Sequence, residues 1–205
     1  MAQLPRLILV LTLVAALAGL ILALVESATR EPIAVQRRLE MLRALKAVLP
    51  PVDNAPDTEV VRLVTGRNKK GQELERAFYR GRQQGELRGI AFQVTAPDGY
   101  SGNIELMVGV DPQGAVTGVA ILRHAETPGL GDKIARPDFT GRFPGKSLAN
   151  ADWRVKKDGG DFDQLTGATI SPRAVVGAIR TGLEFFREHR AEIVGAEGGA
   201  HEPGR

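Results

Sequence analysis

The sequence IELMVGVDPQGAVTGVAIL, residues 104–122, holds two runs rich in valine, isoleucine and leucine on either side of Asp111-Pro112-Gln113-Gly114. Runs of this composition predict β-strands at 104–110 and 116–122, and the Pro and Gly between them are suited to a tight turn. Strands joined by so short a connection pair in antiparallel fashion. This stretch therefore predicts one hairpin of an antiparallel meander.

Similar runs precede the hairpin, and a helical pattern follows it. Residues 77–80 and 89–96 predict two further strands of the meander. A helix is predicted from Pro172 to about Arg190, with a stripe of apolar side chains that would pack on the sheet, namely Val175, Ile179, Leu183 and Phe186. Strands followed by a terminal helix predict an α+β fold, an antiparallel sheet packed with helices.

The N-terminal segment is apolar enough to cross a membrane. Residues 7–25 carry no charged side chain, and a helix of that length spans ~28 Å at ~1.5 Å per residue, close to a bilayer core. A cleaved signal peptide is the alternative, but the apolar run is longer than usual, and Glu26 would place a carboxylate where the cleavage site needs a small residue. We therefore expect residues 1–25 to form a retained transmembrane anchor, whose orientation the flanking charges do not decide.

The remainder of the chain divides into three parts. Residues 26–52 are predicted to form a juxtamembrane amphipathic helix and linker, because apolar side chains recur every three or four residues until Pro50-Pro51. That apolar stripe suits packing on the chain's own domain, the commoner case, or contact with a partner's transmembrane helices. Residues 53–190 are expected to form the folded domain, and the Gly- and Glu-rich residues 191–205 a disordered tail.

Composition argues against several classes of function. Lys and Arg number 27 and Asp and Glu 24, and this net charge of +3 is small for a surface that binds nucleic acid. The chain has no Cys and only 3 His, so we predict no metal site, iron–sulfur cluster or disulfide. We predict no catalytic residue either: the chain has no nucleophile elbow, and residues 129–133 lack the spacing of a phosphate-binding loop.

The loop Thr166-Gly167-Ala168-Thr169 lies just before the predicted C-terminal helix. Ser171 is suited to cap that helix and Pro172 to be its first residue, which would place the loop at the helix N-terminus. Free backbone N–H groups and the helix dipole favour an anion such as phosphate at that position. From spacing alone, a well-capped turn without a ligand accounts for the same residues.

Four segments resemble the covalent FMN-binding domain family. DQLTGAT, residues 163–169, is similar to the family's flavinylation motif, in which a Ser/Thr-Gly-Ala-Thr core carries FMN. HAETPGLG at 124–131 and FPGK at 143–146 resemble two further family segments, and with GYSG at 99–102 the likeness covers roughly residues 75–182. The resemblance implies that FMN is attached covalently, as a phosphoester, to Thr169. Thr166 stands where Ser is frequent, which retains the hydroxyl.

The resemblance also implies the surroundings of the cofactor. The other expected FMN-binding residues come from the same loop and from the ETPGLG segment: Thr166, Gly167, Ala168, Ser171, Glu126, Thr127, Leu130 and Gly131. Because a threonine hydroxyl is a poor nucleophile, the family implies a separate flavin transferase that uses FAD and Mg²⁺ and recognises Asp163 and Thr166. We interpret His124 as structural, with the flavin edge as its alternative contact. We interpret Trp153 as a core or rim aromatic, with a ring stacked on flavin as the alternative.

The short chain and its single anchor are similar to the electron-carrying subunits of Rnf-type ion-translocating complexes, called Rsx in some bacteria. This implies a membrane-anchored flavoprotein that relays electrons between ferredoxin and NAD, with other membrane and iron–sulfur or flavin subunits as partners. By itself it would not be a complete enzyme. The expected location is the bacterial inner membrane, with the folded domain periplasmic. The alternatives are the C subunit of the sodium-translocating NADH:quinone reductase and a membrane-tethered flavin-binding sensory domain.

Overall fold

A five-stranded antiparallel sheet, with its strands in chain order, forms the centre of the folded domain. The computed structural model describes residues 3–67 and 71–195. The helices and strands within them are α1 Gln3–Val48, β1 Val60–Arg67, β2 Glu73–Gln83, β3 Glu86–Ala96, β4 Ile104–Val110, β5 Val116–Arg123, α2 Pro137–Thr140, α3 Ile170–Glu188 and α4 Arg190–Gly195. Short 3-10 turns lie at Gly131–Ala135 and Lys156–Asp158. The predicted α+β class and meander are confirmed.

The central hairpin forms as its sequence predicts. Strands β4 and β5 pair in antiparallel register, with Met107 opposite Ala120 and Val108 opposite Val119. Asp111 closes the turn, because its carbonyl oxygen accepts the N–H of Gly114 at 3.0 Å. Its side-chain oxygen accepts the N–H groups of Gln113 and Ala115, both at 2.9 Å. An Asp at the first position of a turn commonly stabilises it in this way.

Strand β1 was not predicted from the sequence, and β2 is longer than predicted. β1 is an edge strand whose pairing with β2 shifts register between Val64 and Gly66. Gly66 has φ +156°, so the run of β-favouring residues is interrupted where the strand bulges. In β2, residues Glu73 to Glu75 are exposed, and two glutamates flank a single leucine. This segment therefore lacks the apolar composition that predicts a strand.

Helix α3 covers one face of the sheet through the predicted stripe. Its side chains Val175, Ile179, Leu183 and Phe186 are all buried. Gly182 allows a close approach, because a Cβ at this position would lie 2.7 Å from Val94 Cγ1 and 2.8 Å from Phe92 Cε2. The helix is thereby fixed against β3, and its N-terminus is held beside the loops that follow β3 and β5.

The N-terminal helix has two parts that belong to different structural units, which divide between Leu42 and Arg43. In the first unit, Pro5–Thr29 has a mean hydropathy of 3.0 and is long and apolar enough to cross a membrane. In the second unit, the last turns of α1 pack on the sheet, where Ala44, Leu45 and Val48 are buried. This end of the predicted stripe therefore packs on the chain's own domain, and the helix ends before Pro50.

The C-terminal residues include a helix that was not predicted. Residues 191–195, assigned from sequence to a disordered tail, belong to α4, in which Ile193 is buried. The buried Arg80 donates from Nε to the carbonyl oxygen of Ile193 at 2.9 Å. One apolar side chain and one distant arginine thus order a segment whose composition indicates disorder. The rest of the predicted tail, residues 196–205, lies outside the described residues.

Candidate functional site

A cleft of about 300 Å³ lies between the loop after β3, the loop after β5 and the N-terminus of α3. The structure brings together all of the sequence-predicted site residues except Thr166, although they come from two distant segments. Two residues outside that prediction, Tyr100 and Ile170, complete the cleft, whose full lining is Tyr100, Glu126, Thr127, Leu130, Gly131, Gly167, Ala168, Thr169, Ile170 and Ser171.

The segment before α3 forms a tight turn that leads into the helix. The N–H of Ala168 donates to the carbonyl oxygen of Leu165 at 3.0 Å, and Gly167 adopts φ +80°, a conformation that favours glycine. A Cβ at Gly167 would lie 3.2 Å from Leu130 Cδ2, so the turn packs against the opposite loop. Thr166 is exposed on this turn and does not line the cleft.

The predicted cap of α3 is wrong by two residues. The helix begins at Ile170, with Thr169 as its N-cap, whereas the sequence predicts Ser171 as the cap and Pro172 as the first helical residue. Ser171 instead lies within the first turn, where its Oγ–H donates to Glu126 Oε2 at 2.5 Å. The serine hydroxyl therefore bonds to a carboxylate from a distant segment and does not cap the helix, which is the role that its local sequence favours.

Thr169 is held at the edge of the cleft with its hydroxyl uncommitted. Its side chain makes no capping hydrogen bond, and no other hydrogen bond to the Thr169 hydroxyl occurs among the described residues. The backbone N–H groups of Ile170 and Ser171 lie in the first helical turn, which offers them no intrahelical acceptor, and Pro172 has no N–H. This end of α3 therefore presents a hydroxyl beside free donors.

Glu126 is a buried residue that lines the cleft. It is only 4% exposed. Its Oε1 accepts the N–H of Ser101 at 3.0 Å, and its Oε2 accepts the Ser171 hydroxyl. No Lys, Arg or His of residues 3–67 and 71–195 forms an ion pair with it. Two hydrogen bonds thus satisfy a buried carboxylate that lines the cleft.

His124 and Trp153 both have structural contacts. The Nδ1 of His124 accepts the backbone N–H of Glu126 at 3.2 Å, which leaves the proton of a neutral ring on Nε2. Trp153 is 5% exposed and belongs to the hydrophobic core, where its ring stacks on Phe143 and lies tilted against Phe162. Its Nε1–H donates to the carbonyl oxygen of Ser147 at 2.9 Å. The interpretation of Trp153 as a core aromatic is confirmed.

The rim of the cleft exposes large apolar side chains. Tyr100 is 68% exposed, and Leu130 and Ile170 are each 44% exposed. Sequence reasoning missed Tyr100 as a site residue although GYSG resembles a family segment, and it missed Ile170 because an isoleucine just before the predicted helix cap has no signature of a binding site. An apolar rim around a small concave site with a few polar groups is typical of ligand-binding clefts.

Asp163, the first residue of the segment 163–169 that resembles the flavinylation motif, forms ion pairs with two cations. Asp163 accepts from Lys156 Nζ at 2.7 Å and lies 3.7 Å from Arg142 Nη1. The hydrogen bond from Lys156, and then the positive charges of Lys156 and Arg142, hold the pKa of Asp163 below its ordinary value. Asp163 is therefore an ionised, half-exposed surface group.

Comparison with known proteins agrees with this geometry. The FMN-binding domain family matches residues 99–184, a range that contains every residue of the cleft. Among solved structures, NqrC of Shewanella oneidensis aligns with a TM-score of 0.52 and 21% identity over 70% of this chain and 76% of its own. The C subunit of the Na⁺-translocating NADH-quinone reductase of Parabacteroides distasonis aligns with a TM-score of 0.53 and 17% identity over 80% and 93%. These two share the fold.

Sequence relatives match over most of both chains. The G subunit of the ion-translocating oxidoreductase complex of Aliivibrio fischeri is 41% identical over 193 residues, covering 90% of this chain and 91% of that protein. The G subunit of the Pseudomonas aeruginosa complex is 44% identical over 191 residues, covering 89% and 88%. This chain belongs to the family of G subunits of Rnf-type ion-translocating oxidoreductase complexes and contains that family's FMN-binding domain.

Proposed function

We propose that this chain carries FMN covalently, as a phosphoester on Thr169. The proposal rests on one observation: three neighbouring hydroxyls differ in their burial and in their hydrogen bonds. Thr169 lines the cleft and has an uncommitted hydroxyl, whereas Ser171 is buried and bonded to Glu126. Thr166 is exposed outside the cleft lining. Thr169 is thus the hydroxyl best placed to be modified while the cofactor enters the cleft.

The helix N-terminus supports a phosphate at this position. A phosphoester on the N-cap residue lies beside the free N–H groups of Ile170 and Ser171 and at the positive end of the α3 dipole. The dipole alone stabilises an exposed anion by ~0.3–1 kcal/mol. The covalent bond would keep FMN on the protein, so the cleft can be shallow and need not hold the cofactor by noncovalent contacts alone.

The cleft suits a flat ring bound at the surface. Its volume of about 300 Å³ lies at the lower end of small-molecule sites, so it would enclose only part of FMN. Leu130, Ile170 and Tyr100 offer apolar contacts, and Gly131 keeps one wall free of a side chain. FMN supplies the redox chemistry when bound, and these residues would orient the ring and leave one edge accessible to a partner.

The attachment requires a second protein. The Thr169 oxygen would form a bond to the FMN phosphorus of FAD as the pyrophosphate bond breaks and AMP leaves, and the hydroxyl proton passes to a base of the flavin transferase. No base of this chain contacts the Thr169 hydroxyl among the described residues. The exposed Asp163 and Thr166 would be the recognition elements for the transferase.

At the level of the complex, we propose that this chain relays electrons between ferredoxin and NAD carriers while other subunits move the ion. Its partners would be membrane, iron–sulfur and flavin subunits, and its location the bacterial inner membrane with the FMN domain periplasmic. The identity of 41% to 44% with relatives that are G subunits favours this role over that of the C subunit of the quinone reductase. No feature of the described residues specifically favours a flavin-binding sensory domain.

Coexpression with a flavin transferase tests the attachment. Wild-type protein is expected to be heavier by one covalently bound FMN and fluorescent on a denaturing gel, with the flavin on the peptide that contains Thr169. Thr169→Ala should abolish both signals while the chain still folds, and Thr166→Ala should at most slow attachment. Covalent fluorescence that persists in Thr169→Ala, or flavin mapped to Thr166 or Ser171, would show that the proposed site is wrong.

A further inference from the structure

Glu126 connects three segments of the cleft that are distant in sequence. Its Oε1 accepts from the N–H of Ser101 at 3.0 Å, which holds the loop after β3. Its Oε2 accepts from Ser171 at 2.5 Å, which holds the first turn of α3. Its own N–H donates to His124 Nδ1 at 3.2 Å, which holds the loop after β5. One side chain thus fixes the wall that bears Tyr100 relative to the wall that bears Thr169.

Two glycines make room for this carboxylate. A Cβ at Gly131 would lie 2.6 Å from Glu126 Oε2 and 2.8 Å from Ser171 Oγ. A Cβ at Gly99 would lie 2.2 Å from the Gly102 carbonyl oxygen of its own turn and 2.9 Å from Glu126 Oε1. Any larger residue at either position would push against the carboxylate or the hydrogen bonds that it makes. The backbone on both sides is therefore shaped around Glu126.

The carboxylate is a buried charge without a cationic partner. One oxygen accepts the backbone N–H of Ser101, and the other is hydrogen-bonded to the Ser171 hydroxyl. No ion pair to it exists within the described parts of the chain, so its charge is balanced by two hydrogen-bond donors and by the positive end of the α3 dipole. Burying a charge in this way is costly, and a neutral side chain could hold the same segments together. A side chain that only joined these segments would not need the charge.

We infer that Glu126 is a positioning residue that sets the geometry of the flavin cleft and that its negative charge lowers the reduction potential of the FMN bound there. The inference rests on the function proposed above. Since Glu126 lines the cleft, its charge opposes the addition of electrons to a ring held in the same cleft. The flavin is thereby tuned as an electron donor to the next carrier.

Glu126→Gln separates charge from geometry. The glutamine oxygen can accept from the Ser101 N–H, and its amide can donate to Ser171 Oγ, so both connections survive without the charge. Glu126→Ala removes the charge and the connections together. Glu188→Gln, at the exposed far end of α3, is the matched control for loss of one negative charge elsewhere.

The potential of the covalently bound FMN is measured by spectroelectrochemical titration, and amide hydrogen exchange of residues 99–102 is measured on the protein without flavin. We expect Glu126→Gln to raise the potential and leave exchange near wild type, Glu188→Gln to change neither, and Glu126→Ala to accelerate exchange at the Ser101 amide. A potential in Glu126→Gln equal to that of wild type, or exchange in Glu126→Ala as slow as in wild type, would overturn the inference. Wild-type protein without covalent FMN contradicts the proposed function itself, and the tuning role fails with it.

Discussion

At the scale of single residues, the chemistry depends on what each hydroxyl and each glycine contacts. Ser171 has the local sequence of a helix cap, yet its hydroxyl is bonded to Glu126, 45 residues away in the chain. Thr169 takes the cap position but makes no side-chain capping bond. The residue type and spacing of this loop are therefore compatible with several roles, and the contact with a distant carboxylate decides between them.

Gly131→Val tests whether the loop after β5 shapes the flavin site. A side chain at residue 131 would press on Glu126 Oε2 and Ser171 Oγ, so we expect a loss of ~1–3 kcal/mol of folding free energy, as overpacking usually costs. FMN should remain attached, because Thr169 is unaltered, but its absorption envelope or potential should change. Stability is measured by urea denaturation and the flavin by its spectrum and potential.

A matched substitution controls for the loss of glycine itself. A Cβ at Gly129 meets nothing within 4 Å, although its φ of +77° disfavours other residues. Gly129→Ala should therefore cost only the backbone strain and leave the flavin spectrum as in wild type. If Gly131→Val left the spectrum and the potential unchanged, this loop would not approach the flavin.

The sequence predicts most of the cleft but not its complete lining. Thr169, Glu126 and Gly131 belong to recognisable motifs, so the family resemblance identifies them from residue type alone. Tyr100 and Ile170 contribute only exposed apolar surface, which depends on where the loops lie in space and has no signature in spacing. The capping error at Ser171 has the same origin, because the competing acceptor comes from a distant segment.

At the scale of elements, the end of α1 packs against glycines of two neighbouring strands. A Cβ at Gly109 of β4 would lie 2.2 Å from the Val48 carbonyl oxygen, and one at Gly118 of β5 would lie 2.7 Å from Val48 Cα. Thr117 Oγ1 donates to that same carbonyl at 2.6 Å. Glycine weakens a strand on its own, so the sequence indicates two weak positions. Only the structure shows that helix backbone fills the space.

Gly109→Ala should therefore separate the end of α1 from the sheet or strain the contact. We expect ~1–3 kcal/mol of destabilisation, measured by thermal or urea denaturation of the full chain in detergent. Gly177→Ala on α3 is the control, since a Cβ there meets nothing within 4 Å, and alanine in a helix interior is favoured over glycine by ~1 kcal/mol. If Gly109→Ala were no less stable than wild type, the contact with Val48 would contribute nothing.

At the scale of the whole molecule, the proposed function requires the FMN-binding domain to stay at the membrane. Pro5–Thr29 supplies the apolar length, and relatives among the G subunits match the chain over about nine tenths of its length. The charges beside the span do not decide which side the domain occupies, because Arg6 lies on one flank and Arg30, Arg37 and Arg38 on the other, where Glu26 and Glu31 partly offset them.

We predict that residues 1–6 are cytoplasmic, that residues 7–25 span the membrane, and that the chain from Glu26 onward is periplasmic. Reporters fused after Gly195 test this, because a junction at Arg190 would disrupt α4, where Ile193 is buried and bonded to Arg80. Alkaline phosphatase, which is active only after export, should be active, and a fluorescent protein that folds only in the cytosol should be dark. Removing residues 1–25 should abolish phosphatase activity, since the domain would have no export signal. A bright fluorescent fusion with an inactive phosphatase would place the flavin domain in the cytoplasm, where it would have to exchange electrons with partners on that side.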